Sequence, residues 1–201
     1  MLFAILLAVL VLFITSFILF LLWERRMNLE TFKKLCEKKV ARIAKHTKTL
    51  AITNLNIANY NREPININHV VFGKKYIYLI TDFMLKGFVS GEEKDNSWIY
   101  YNNIKKKTNY LSNLHTFSNK NMQDFAGILQ ISTDSIVSIC LVPNEVDFKI
   151  KNSKKEKSLI VHYSSLSRVI KHLEKKEIGE FDKEQITEKY NLLKARNGER
   201  I

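Results

Sequence analysis

The chain opens on an apolar run, Leu2 to Trp23, that carries no charge and is broken only by Thr15 and Ser16. The spacing then becomes helical. Leu29, Phe32, Cys36, Val40, Ile43 and Ala44 recur on one helix face, and Asn28 stands where a cap belongs. A helix is predicted from Asn28 to about Lys48. A strand-rich stretch follows. Leu50–Tyr60 carries Ile52, Leu55 and Ile57 without strict alternation, Asn61–Pro64 reads as a turn, and Asn66–Gly73 alternates. Tyr76–Phe83 sets Ile77, Leu79 and Thr81 on one face and Tyr78, Ile80 and Asp82 on the other. Short runs at Phe88–Val89 and Trp98–Tyr101 flank a polar turn. Such close spacing predicts an antiparallel meander.

Residues 102–112 read as a polar loop. Leu114–Gln130 is predicted helical, Ser135–Val142 a buried strand stopped by Pro143, Lys149–Lys157 a basic loop, and Ser158–His162 a last strand. A helix then runs from Ser164 or Ser165 to about Glu177, and Gly179 stops it. Asp182 with Gln185 makes a capping-box start for a final helix to about Asn197. The order of helix, three or more strands, helix, two strands and helix predicts an α+β fold, α/β-like in character. Its expected core is a mixed sheet flanked by helices.

The opening run changes the picture of the compartment. About 22 helical residues at roughly 1.5 Å each cover about 33 Å, against a bilayer core of roughly 30 Å. No basic residue precedes the run and no A-x-A-like cleavage site follows it. Both favour an uncleaved anchor over a signal peptide. The division expected is a transmembrane anchor over residues 1–24, a domain over 25–178 and a C-terminal helix over 179–201. Every Lys and Arg follows the run. The positive-inside rule then predicts a single-pass membrane protein with its N-terminus outside and its domain in the cytoplasm.

Charge narrows the partners. The sequence has 32 Lys and Arg against 20 Asp and Glu, a net +12, all of it after the apolar run. Such a surface suits anionic lipid head groups or nucleic-acid phosphates. A plain compositional origin is the competing account, because the chain is rich in Lys, Asn and Ile. Two cysteines, Cys36 and Cys140, form neither a disulfide framework nor a metal-like spacing. Both lie in apolar patterns and read as buried thiols, in keeping with a reducing compartment. No P-loop, G-x-S-x-G, H-E-x-x-H or paired-Cys motif occurs. His46, His69, His115, His162 and His172 are scattered, and no metal site is expected from them.

Several landmarks then fall in order. Glu37-Lys38-Lys39-Val40-Ala41 lies on the first helix, and Asn68-His69-Val70-Val71-Phe72-Gly73 forms a strand. Ile77-Tyr78-Leu79-Ile80-Thr81-Asp82-Phe83 follows, then Lys86-Gly87-Phe88-Val89-Ser90-Gly91, and Trp98 comes after a polar turn. Asn119-Lys120-Asn121-Met122-Gln123 and the strand–His–helix segment Ser158–Lys171 complete the series. Together these resemble the NERD (nuclease-related) family over about 140 of 201 residues, from Glu37 to Lys176. The resemblance implies a restriction-endonuclease-like core. It also implies a Mg²⁺ site of acids from adjacent strands, with a lysine to activate water and stabilise developing charge.

The chain departs from that pattern where the chemistry would sit. The family's first acid falls on Asn68, its second on Thr81 and its lysine on Phe83, and the Asn-Pro-x-x-Gln signature has lost its proline. The resemblance therefore implies a pseudoenzyme, with no catalytic residue and no cofactor. An alternative keeps a divalent-metal nuclease, with Mg²⁺ held by relocated acids from Glu37, Asp82 and Glu92. Asp82 is one residue out of register, so a strand would turn it to the opposite face.

Nucleic-acid binding can outlast catalysis. Lys105, Lys106, Lys107, Lys149, Lys151, Lys154 and Lys155 are the expected phosphate contacts, with the basic face of the first helix (Lys33 to Arg42) beside them. Tyr100, Tyr101 and Tyr110 are placed to stack on bases. The function expected is nucleic-acid binding or scaffolding at the membrane, with lipid, DNA or RNA, and other membrane proteins as partners. A structural component of a membrane complex, without nucleic-acid affinity, is the further alternative.

Overall fold

The computed structural model describes residues 9–20, 28–59, 62–151, 157–177 and 179–197. Residues 9–20 (α1) are helical, and their large apolar side chains are exposed. Both ends of the predicted anchor lie outside the described residues. Among the described residues no helix is long and apolar enough to cross a membrane.

A five-stranded mixed sheet forms the centre, in the order β1-β2-β3-β7-β9. β1 (Leu50–Ala58), β2 (Pro64–Phe72) and β3 (Ile77–Asp82) are antiparallel neighbours, while β7 (Ile136–Val142) and β9 (Ser158–His162) continue parallel to β3. Helices α2 (Leu29–Thr47) and α4 (Leu166–Leu173) cover one face, and α3 (Leu114–Leu129) and α5 (Lys183–Arg196) cover the other. The α+β class and the mixed sheet flanked by helices are as expected.

Local chemistry explains the helices. The Asn28 side chain accepts the Thr31 N–H at 2.9 Å, and Phe32, Cys36, Val40 and Ile43 bury one stripe of α2. Asp182 and Gln185 close the capping box that opens α5, as the sequence predicts. In β1 the broken alternation has a cause. Asn54 takes a left-handed backbone (φ 54°), which Asn tolerates better than most residues. The faces slip there, so Ile52 joins Leu55 and Ile57 in one cluster.

A second sheet was not foreseen. It has the order β6-β5-β4-β8, from β4 (Gly87–Glu92), β5 (Ser97–Asn102), β6 (Lys107–Ser112) and β8 (Asp147–Lys151). The expected single meander is thereby corrected: the chain leaves the first sheet after β3 and starts another. Two predicted loops also become strands. The polar loop 102–112 contributes β6, and the basic loop at Lys149 contributes the end of β8. Both lie at sheet edges: β6 is exposed along most of its length, which removes the alternation that marks a half-buried strand, while β8 alternates in Asp-Phe-Lys-Ile-Lys but is short and lysine-rich. A third cluster of Leu85, Val89, Trp98, Leu114, Cys140, Val142 and Val146 holds this sheet against the first.

Candidate functional site

The sequence draws attention to the middle of β2, where it runs beside the end of β3. The last recorded pair of that ladder is His69 with Ile80, so the next step sets Asn68 beside Thr81. The Asn68 Oδ1 accepts the backbone N–H of Asp82 at 3.0 Å. Its amide oxygen is thus tied to the β3 backbone. Thr81 pairs in parallel with Cys140. The Phe83 N–H donates to the Leu141 carbonyl at 2.8 Å, and its ring meets Phe117 of α3 edge-on at 5.9 Å. Asn68 and Thr81 thus stand on adjacent strands, Phe83 directly follows β3, and none of the three carries charge.

Asp82 is the carboxylate nearest in sequence, and it is turned away. Its Oδ2 lies 3.0 Å from His69 Nε2, and both side chains are buried. Asp82 Oδ1 and His69 Nδ1 have no hydrogen-bond partner among the described residues. Cys36 of α2 belongs to the same side. Burial, then the neighbouring Asp82 carboxylate, push its thiol well above the usual range. Burial likewise raises Cys140 to about 12. Both thiols are free and buried, and such thiols stay protonated and unreactive.

The other acids do not join Asp82. Glu37 is exposed on α2. Glu92 ends β4 and pairs with Lys94 at 3.6 Å. Among the described residues no group of three or more His, Cys, Asp or Glu side chains is placed to hold a metal ion. His162 is occupied as well, its Nε2 2.8 Å from the Val146 carbonyl.

The predicted basic contacts divide. Lys105, Lys106 and Lys107 are exposed at the β5–β6 turn, and Lys149 and Lys151 are exposed on β8. Lys154 and Lys155 lie outside the described residues. The tyrosines also divide. Tyr100 points inward, its hydroxyl accepting the Lys86 N–H at 3.1 Å. Tyr101 and Tyr110 point outward. Sequence reasoning missed Phe88 and Ile99, which share the outward face with them. The signal available was the two-residue period of β5, with Trp98 and Tyr100 on one side and Ile99 and Tyr101 on the other.

No family model matches the chain, and no curated protein does. Among solved structures it is similar to the crystal structure of a protein of unknown function, AF1548, at 12% identity. The match covers 75% of this chain and 73% of that one, with a TM-score of 0.37. So distant a likeness assigns neither fold family nor function.

Proposed function

We propose that the chain is a NERD-like domain with a restriction-endonuclease-like core that has lost its cleavage chemistry and holds nucleic acid at the cytoplasmic face of a membrane. One observation carries this reading. Asn68 in the middle of β2, with Thr81 and Phe83 at the end of β3, offers neither a carboxylate nor an ammonium group, while Asp82 is buried on the other side against His69. A hard cation needs several charged or carbonyl oxygens around it, and a neutral amide, a hydroxyl and a phenyl ring do not supply them. The element order supports the same reading: a helix, three antiparallel strands, a helix and a parallel strand run in succession in the first sheet and its covering helices. The net charge of +12 supports a polyanionic partner. The exposed apolar side chains of α1 support contact with a bilayer or with membrane proteins.

The test uses the full chain in detergent, with labelled DNA and RNA in a chelator. Binding that weakens steeply between low and moderate salt, and that is unchanged by added Mg²⁺, is the expected result. Binding that appears only with Mg²⁺ would restore the relocated-acid nuclease. No binding at low salt would leave a scaffold without nucleic-acid affinity.

A further inference from the structure

The outer face of the second sheet is unlike an ordinary solvated sheet. Paired residues on neighbouring strands point to the same side. The register therefore sets Lys149, Ser90, Ile99 and Tyr110 in one row, and Asp147, Phe88, Tyr101 and Thr108 in the next. Solvent faces of antiparallel sheets are normally polar. Here Tyr110 is 82% exposed, Ile99 49% and Tyr101 38%. Lys149 Nζ stands over the Phe88 ring, 5.3 Å from its centroid.

Cations frame this patch on a diagonal. Lys149 and Lys151 line the β8 edge toward the Glu92 end, and Lys105, Lys106 and Lys107 stand at the β5–β6 turn at the opposite corner. Four strands at about 4.8 Å spacing make the patch about 14 Å wide. Two carboxylates share the face. Glu92 is paired with Lys94, and Asp147 sits at the start of β8 beside Phe88.

Exposed rings between lysines match one ligand chemistry closely. Unpaired bases stack on aromatic faces while their phosphates meet ammonium groups, whatever the sequence. A duplex keeps its bases stacked on one another and offers chiefly its backbone. We propose that this face binds single-stranded nucleic acid, with Tyr110, Tyr101 and Phe88 as the stacking platform and Lys149 and Lys151 as phosphate contacts. This rests on the reading that the chain holds nucleic acid, and it names the form held and the surface that holds it.

The test measures fluorescence anisotropy of a labelled oligodeoxythymidine and of a duplex of equal length with the full chain in detergent, at several salt concentrations. The single strand should bind more tightly than the duplex. Tyr110→Ala should weaken single-strand binding about tenfold, since a stacked base commonly contributes that much, and should leave the salt dependence unchanged. Lys149→Gln with Lys151→Gln should lower the logarithmic salt slope by about 1.4. Tyr110 is too exposed for its loss to unfold the sheet, and a denaturation curve verifies this. Equal or tighter duplex binding, or binding indifferent to Tyr110→Ala, would overturn the proposal while leaving a nucleic-acid-binding protein. Failure to bind either probe at low salt would overturn both readings. Capture of anionic vesicles that the same substitutions weaken, without oligonucleotide binding, would make the face a membrane contact and overturn it too.

Discussion

His69 Nε2 and Asp82 Oδ2 lie 3.0 Å apart between neighbouring strands, and both side chains are at least 97% buried. This is where the one-residue offset of Asp82 has its consequence. The carboxylate that a metal site would want is placed on the α2 side of the sheet, in a pair that holds β2 to β3. Removing one member of a buried pair strands the other, at a cost of about 3–5 kcal/mol if both are charged and about 1–3 if they are not. Asp82→Ala should therefore lower unfolding stability by at least about 1 kcal/mol, read by urea denaturation, while nucleic-acid affinity of the folded protein stays unchanged. Affinity lost with stability intact would put Asp82 in a binding site instead.

The buried thiols make stability fall at high pH. Cys36 and Cys140 are raised from an ordinary value of 9.0 when folded. The folded state therefore keeps its thiol protons where the unfolded chain loses them. Their contribution is complete below pH 9 and drains away as the pH climbs from there toward the folded values, reaching about 1.4 kcal/mol per thiol at pH 10. Urea midpoints at pH 8 and pH 10, for the native chain and for a Cys36→Ala, Cys140→Ala variant, check this. The variant should lose less stability over that interval.

Reinstating acids should create a metal response that the native chain lacks. Asn68→Asp with Thr81→Glu sets two carboxylates side by side on β2 and β3. In a chelator the variant should melt below the native protein, through like-charge repulsion. Mn²⁺ at a hundred times its dissociation constant should then raise its melting temperature by about 5–10 °C. The native chain should be indifferent to both additions. Differential scanning fluorimetry suffices, and a Mn²⁺ response in the native chain would contradict the account.

How far the sequence reaches is visible in particular residues. Asn28, Asp182 and Gln185 announced two helix starts because caps are local chemistry. Ile77 to Asp82 announced its two faces because a paired strand fixes the period. Lys107–Ser112 announced nothing, since this edge strand is exposed along most of its length; Asp147–Lys151 does alternate, with Phe148 and Ile150 half-buried, but five residues beside a lysine-rich run were too short to stand out. The partition into two sheets was out of reach for a different reason. It depends on the pairing of Phe88 with Asp147, 59 residues away in sequence, and no local pattern encodes a partner that distant. The neutral residues Asn68, Thr81 and Phe83 were legible, whereas the side chains of Phe88 and Ile99 became part of a surface only once that pairing was known.

Gly91 shows how tightly the second sheet is built. A Cβ there would meet Trp98 Cδ1 at 2.4 Å, and the Trp98 Nε1–H donates to the Glu92 carbonyl at 2.8 Å. Gly91→Ala must displace the indole and strain that bond, and overpacking of this kind costs about 1–3 kcal/mol. Loss of near-ultraviolet circular dichroism from Trp98 and a lower urea midpoint are expected. A wild-type spectrum and midpoint would show that the ring moves freely.

The central claim is that this fold holds nucleic acid and does not cut it. The full chain, incubated with end-labelled single-stranded and duplex DNA and RNA in Mg²⁺ or Mn²⁺, tests it most directly, with half of each sample run under native conditions and half denatured. The account predicts salt-sensitive complexes in the native half and intact strands in the denatured half. Metal-dependent cleavage that a chelator abolishes and that Asp82→Asn or Glu92→Gln reduces would contradict it.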